Sequence, residues 1–480
     1  MRVEMASEKA LPQVKYVSTR GLAPALGFAD VLLAGLARDG GLYVPEDWPR
    51  LPEAQIAAFA GKPYAEVAFE VMRPFVGSEI DEDALLAMCR DAYAGFDRDS
   101  IAPLVEIGPD QWLLELFHGP TLAFKDVAMQ LLARLMDHIL KQRDMRVTIV
   151  GATSGDTGGA AIEAYRGRDN ADLFILFPKG RVSPIQQRQM TTAGAANVHA
   201  IAVDGTFDDC QAIVKGLFNN EGFRDRVSLS AVNSINWARI LPQIVYYFTA
   251  AVALGAPKVP VSFTVPTGNF GDIFAGYAAK RMGLPIDRLV IATNTNDILA
   301  RALDSGRYEL KPVTATASPS MDIQISSNFE RLLFEAYRRD ADAVRGLMDD
   351  LKNGVFAIDE TALAAILADF ASGRTDEAET AATMQAFHTD RNYLADPHTA
   401  VGLAVAKRFA RPGVPMVTLA TAHPAKFPAA VLAATGTEAE LPARLGDLME
   451  RPEHFTTIAD DQLAVEYFIA AHTRALAEKV

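Results

Sequence analysis

The chain has 480 residues, half of them apolar, which is more than one compact core accommodates and enough to bury two or three. Its 46 basic and 60 acidic residues give a net charge of −14, which excludes a nucleic acid or an anionic membrane held by broad electrostatics; any anionic ligand must be met by a few local groups. Two distant cysteines, no metal-ligand spacing, no apolar secretion signal and no membrane-length apolar run make a cytoplasmic protein without metal the expectation.

Residues 1–100 read as an accessory helical domain: in "EIDEDALLAMCRDAYAGF", Leu85, Leu86, Cys89 and Tyr93 recur at helix spacing behind acidic residues suited to a helix start. Short, continuously apolar runs follow: WLLEL, VTIVG, LFILF, VHAIAV, VSLSAV, VSFTV and RLVIA, with PMVTLA last, near 415. Runs without polar alternation suit strands buried on both faces, and helix-length segments lie between most of them, so the fold class is α/β with at least one twisted, mostly parallel sheet. A stretch of helical pattern alone, about 328–390, reads as an insertion before the last strand.

In such sheets ligands bind beyond the C-terminal strand ends, which directs attention to the loops there. "GATSGDTGGA" at 151–160 has four glycines, and Thr153, Ser154 and Thr157 offer hydroxyls at a helix N-terminus, a seat for carboxylate or phosphate. "PTGNFGD" at 266–272 forms a second amide nest around Asn269 and Phe270, between Gly268 and Gly271. Two such loops on strands of one sheet predict two separate anionic groups. Neither fits the dinucleotide or P-loop spacing, which argues against a nicotinamide oxidoreductase. "ATAHPAKF" at 420–427 follows the last strand, with Thr421 at its start. Lys125, in "FHGPTLAFKDVAMQ", opens a helix, where a cation opposes the dipole and its amine pKa tends to fall. The alternative for Lys125 is a solvated surface charge paired with Asp126.

In order along nearly the whole chain, "KYVSTRG", "DGGLYVPE", "FHGPTLAFKD", "GATSGDTG", "SPIQQRQM", "NSINWARI", "PTGNFGD", "MDIQISSNF", "DPHTAVG" and "ATAHPAKF" resemble the threonine synthase family, in its longer bacterial and fungal form, among the fold type II pyridoxal-phosphate (PLP) enzymes. The resemblance implies two sheet domains: 101–255 with the PLP lysine and the substrate-carboxylate loop, and 256–480 with the cofactor-phosphate loop. It implies that Lys125 carries PLP as an imine and later moves protons, and that Gly268, Asn269, Phe270 and Gly271 wrap the cofactor phosphate. Thr421 would face the pyridine nitrogen. Thr153, Ser154 and Thr157 would bind the substrate carboxylate, with Asp156 near the phenolic oxygen where relatives carry Asn. A carboxylate there calls for a proton or for turning away.

Asn233, Ser234 and Arg239 would take the substrate phosphate. A lysine used for that phosphate in shorter members falls on Gln186, so Lys179, Arg181 or Arg188 is expected to supply charge instead. The implied reaction converts O-phospho-L-homoserine and water to L-threonine and phosphate, in a monomer or homodimer. A serine/threonine dehydratase or β-replacing synthase would need neither "NSINWAR" nor the "STRG" block.

Overall fold

The computed structural model describes residues 13–231 and 234–476. Strands β1 (Tyr16–Ser18) and β2 (Tyr43–Pro45) form a small antiparallel ribbon within the N-terminal region. Next come β3 (Leu104–Gly108), β4 (Gln111–Glu115), β5 (Val147–Ala152), β6 (Ala171–Pro178), β7 (Val198–Asp204) and the two-residue β8 (Leu229–Ser230). Then follow β9 (Val261–Pro266), β10 (Ile286–Thr293), β11 (Arg307–Glu309), β12 (Val355–Ala357), β13 (Phe370–Arg374), β14 (Met416–Ala420) and β15 (Thr456–Ala459).

Two larger sheets result, one ordered β13-β10-β9-β14-β4-β3 and one ordered β15-β7-β6-β5-β8. All of their pairings are parallel except β3 with β4. The apolar runs explain this: every residue of "ADLFILFP" in β6 is buried, as a strand covered by helices on both faces must be.

The sheets interleave along the chain. β3 and β4 join the strands of 256–480, while β15, beyond the strand near 415, returns to pair with β7. The segment 328–390 is mainly helical and also supplies β12 and the edge strand β13, the latter formed by the polar "FASGR" against β10. The N-terminal helices share one continuous apolar core with both sheets; Tyr16, Trp48, Phe75 and Trp237 meet there with ring centroids 5.6 to 6.5 Å apart. Among the described residues no helix is long and apolar enough to cross a membrane.

Candidate active site

Three loops leave adjacent strands of the six-stranded sheet: 116–124 after β4, 421–427 after β14 and 267–270 after β9. The first two are laced together, Phe124 N donating to Thr421 O at 2.9 Å and His423 N to Leu122 O at 3.0 Å. The "GATSGDTGGA" loop follows β5 in the other sheet. The expectation that both loops leave strands of one sheet is thus corrected: they belong to different sheets, whose C-terminal edges face each other across the site.

Lys125 is the first residue of the helix Lys125–Gln142, and its side chain is 11% exposed. It does not pair with Asp126, which turns inward to accept from Thr121 N at 2.7 Å and the Thr121 hydroxyl at 2.6 Å. Its Nζ lies 3.3 Å from Asp156 Oδ2 and 4.8 Å from the centre of the Phe124 ring. Burial pushes the amine pKa down; Asp156 opposes this, while the charges of Lys426 and Arg239 lower it further. The amine is thus eased toward the neutral form that attacks an aldehyde.

Asp156, first in the helix Asp156–Tyr165, is the hub. Its Oδ1 accepts from Lys426 Nζ at 2.8 Å and Gln186 Nε2 at 2.9 Å. Its Oδ2 faces Lys125 and, at 3.4 Å, the Ser320 hydroxyl. Burial alone would raise its pKa, yet Lys426, Lys125 and these hydrogen bonds hold it well below the carboxylate range. Neither protonation nor turning away occurs: the carboxylate is compensated. Gln186 is committed on both sides, its carbonyl capping Ser183 N at 3.2 Å while its amide reaches Asp156.

Thr153 is buried, and its hydroxyl accepts from Gly155 N at 3.0 Å and Gly158 N at 2.9 Å, which leaves the proton free to donate to an anion. Ser154 and Thr157 are half-buried on the same turn.

In "PTGNFGD", Phe270 takes left-handed backbone geometry (φ 63°) as the N-cap of the helix Gly271–Arg281, which gathers the amides of that turn. A Cβ on Gly268 would stand 2.7 Å from the Ser320 carbonyl, so only glycine fits. The loop is held from behind by Asn328, whose amide Nδ2 donates to Asn269 O at 2.9 Å and to Ser234 O at 3.2 Å, and by the Ser326 hydroxyl, 2.6 Å from Gly268 O. Arg331, fully buried, donates to Asn328 Oδ1, to Ile235 O at 2.6 Å and to Tyr43 O at 3.0 Å. Thr19 and Arg20 of "STRG" bind Glu330, next in line, at 2.6 to 3.0 Å.

Arg239 sits buried in the helix Trp237–Ala253, where burial lowers its pKa to about 10. Asn233 lies outside the described residues, while Ser234 is tied to the second loop through Asn328. Thr421 is buried at the end of β14. The expected extra cations point elsewhere: Lys179 pairs with Asp204 at 3.0 Å, Arg188 binds Arg451 O at 2.7 Å, and Arg181 is exposed. Sequence pattern alone does not single out Lys426, Asn328, Ser320 or Arg331, although the first two stand in "ATAHPAKF" and "MDIQISSNF". A lysine enclosed by Ala425 and Phe427 was the available signal.

A lysine amine with a depressed pKa, a glycine-only amide cradle for a phosphate and a hydroxyl donor on a third loop fit PLP. Residues 15–93 match the profile described as "Threonine synthase N terminus", residues 102–373 "Pyridoxal-phosphate dependent enzyme" and residues 399–469 "Threonine synthase, C-terminal". The chain is 52% identical over 462 residues to threonine synthase of Pseudomonas aeruginosa, covering 96% of this chain and 98% of that one. PLP-bound threonine synthase from Brucella melitensis superposes with a TM-score of 0.95 at 63% identity, over 96% of this chain and 100% of that one. The yeast threonine synthase structure superposes with a TM-score of 0.91 at 40% identity, over 97% and 99%. With matches of this extent joined to a site built on Lys125, the chain belongs to the threonine synthase family of PLP-dependent enzymes.

Proposed function

We propose that the chain converts O-phospho-L-homoserine and water to L-threonine and phosphate, the last step of threonine biosynthesis, with Lys125 as its catalytic residue. The observation that carries this reading is the enclosed Lys125 amine, 3.3 Å from Asp156 at the meeting of four loops. PLP, when bound, supplies the electron sink that lets protons leave the substrate's α and β carbons.

Lys125 binds the cofactor through its amine and, once released by substrate, takes and returns protons at Cα and Cβ. Gly268, Asn269, Phe270 and Gly271 hold the cofactor phosphate on backbone amides. Thr421 would offer a hydroxyl to the pyridine nitrogen, and Asp156 would stand on the phenolic side. The Thr153 proton, with Ser154 and Thr157, binds the substrate carboxylate. Ser234 and Arg239, together with Asn233, receive the substrate phosphate; a buried guanidinium is a strong anion partner because little water competes with it. The enclosure excludes bulk water while those contacts set the substrate's orientation.

A cytoplasmic location and a monomeric or homodimeric state complete the reading. It is tested by incubating purified holoenzyme with O-phosphohomoserine and measuring threonine and phosphate together. Equal yields of the two are expected. Phosphate with 2-oxobutanoate and no threonine would mark a phospholyase, and no turnover would sink the assignment.

A further inference from the structure

Lys426 is fully buried, yet none of the roles above uses it. Its Nζ touches two segments at once: Asp156 Oδ1 at 2.8 Å and, at 2.7 Å, the carbonyl of Thr121 in the loop that carries Lys125. The same carbonyl also accepts from Gln189 Nε2 at 3.0 Å. The two oxygens of Asp156 are thereby divided. Oδ1 is engaged by short contacts to Lys426 and Gln186, and Oδ2 meets Lys125 and Ser320 at the longer 3.3 and 3.4 Å. The free amine of Lys125 is one of two cations around one carboxylate; once Lys125 is spent in binding a cofactor aldehyde, Lys426 and Asp156 remain as a neutral pair.

We infer that Lys426 is a positioning residue which neutralises Asp156 from behind, so that the Asp156–Lys426 pair presents to the cofactor ring an oriented acceptor with no net charge, as a carboxamide would. An ionised carboxylate without that partner would be an uncompensated buried charge, which is far more costly than the pair. The inference rests on the reading of Lys125 as the cofactor lysine. The other charged groups acting on this cluster are Arg239 from the helix Trp237–Ala253, Asp126 beside Lys125, and Asp272 of the second loop. All three are kept in the variants below.

The test is a spectrophotometric pH titration of the Lys125-bound PLP chromophore in four holoenzymes: wild type, Lys426→Met, Asp156→Asn and the double variant. Lys426→Met leaves an unbalanced anion beside the lysine nitrogen and should raise the midpoint by about one unit; Asp156→Asn leaves an unbalanced cation and should lower it comparably. The double variant should return close to wild type and retain PLP better than Lys426→Met, whose affinity should fall at least ~10-fold. Loss of packing alone does not produce shifts of opposite sign that cancel. Midpoint shifts of the same sign, or losses of PLP affinity that accumulate in the double variant, overturn the inference while leaving the function intact. A wild-type protein that binds PLP without using Lys125 overturns both. Should Lys426→Met fail to fold, Asp156→Asn alone decides, since an unchanged or raised midpoint contradicts the role of Lys426.

Discussion

The two glycine-rich loops look alike in sequence, each following a buried strand and opening a helix, yet they are built on opposite principles. "GATSGDTGGA" is organised by charge: Asp156 at its centre is flanked by Lys125 and Lys426, and its shape depends on side chains from three other segments. "PTGNFGD" is organised by backbone: a left-handed Phe270, a close-packed Gly268 and the neutral amide of Asn328 shape it, and its nearest acid, Asp272, points down onto Tyr246 and Tyr247 instead of into the turn. A permanent dianion is well served by fixed amides, which need no counter-charge of their own. A group that changes its proton count during reaction is better served by ionisable side chains.

That contrast is open to breakage from either side. Lys125→Ala removes the reactive amine from the charged loop, and threonine formation should fall by on the order of 10³-fold or more in a coupled phosphate assay. The melting temperature of the PLP-free protein should not fall with it, because Asp156 keeps Lys426; a large drop would mean the loop depends on Lys125 for its fold. Gly268→Ala strikes the backbone loop. Its new Cβ, 2.7 Å from a main-chain oxygen, forces a shift costing about 2–3 kcal/mol, read as a comparable loss of PLP affinity by equilibrium dialysis.

Asp272→Asn sharpens the contrast through pH. Burial raises the Asp272 pKa from 3.8 to about 6, so in the folded protein it stays protonated where the unfolded chain has already ionised. Its stabilising contribution is therefore full below pH ~4 and lost as pH rises to ~6, a change of about 2–3 kcal/mol that the variant should lack in urea melts across that window. The smallest effect belongs to Arg20→Ala. It removes a bidentate pair to Glu330, two residues past Asn328, and should cost about 1 kcal/mol of stability while leaving Lys125's absorbance midpoint in place.

Legibility in the sequence followed how local each device is. The buried strands and the helix N-termini could be read because burial on both faces and glycine at a turn leave marks within a few residues. Lys125 stood out through its poor placement against a helix dipole and through the ordered family motifs around it. Ser320 carried no such mark, since its hydroxyl matters only through Asp156, 164 residues away. β13 escaped for a related reason: "FASGR" is polar by composition and becomes a strand only because β10 offers it an open edge.

The sequence by itself determined the α/β class, the glycine-rich loops that open helices at the site and the lysine among them, all consequences of short-range pattern. Tertiary structure alone decided that the two anion loops belong to different sheets and that Asp156 stays ionised with Lys426 behind it. A buried charge is tolerable or ruinous according to a partner within about 3 Å. Here that partner is 270 residues along the chain, a distance that no local pattern encodes.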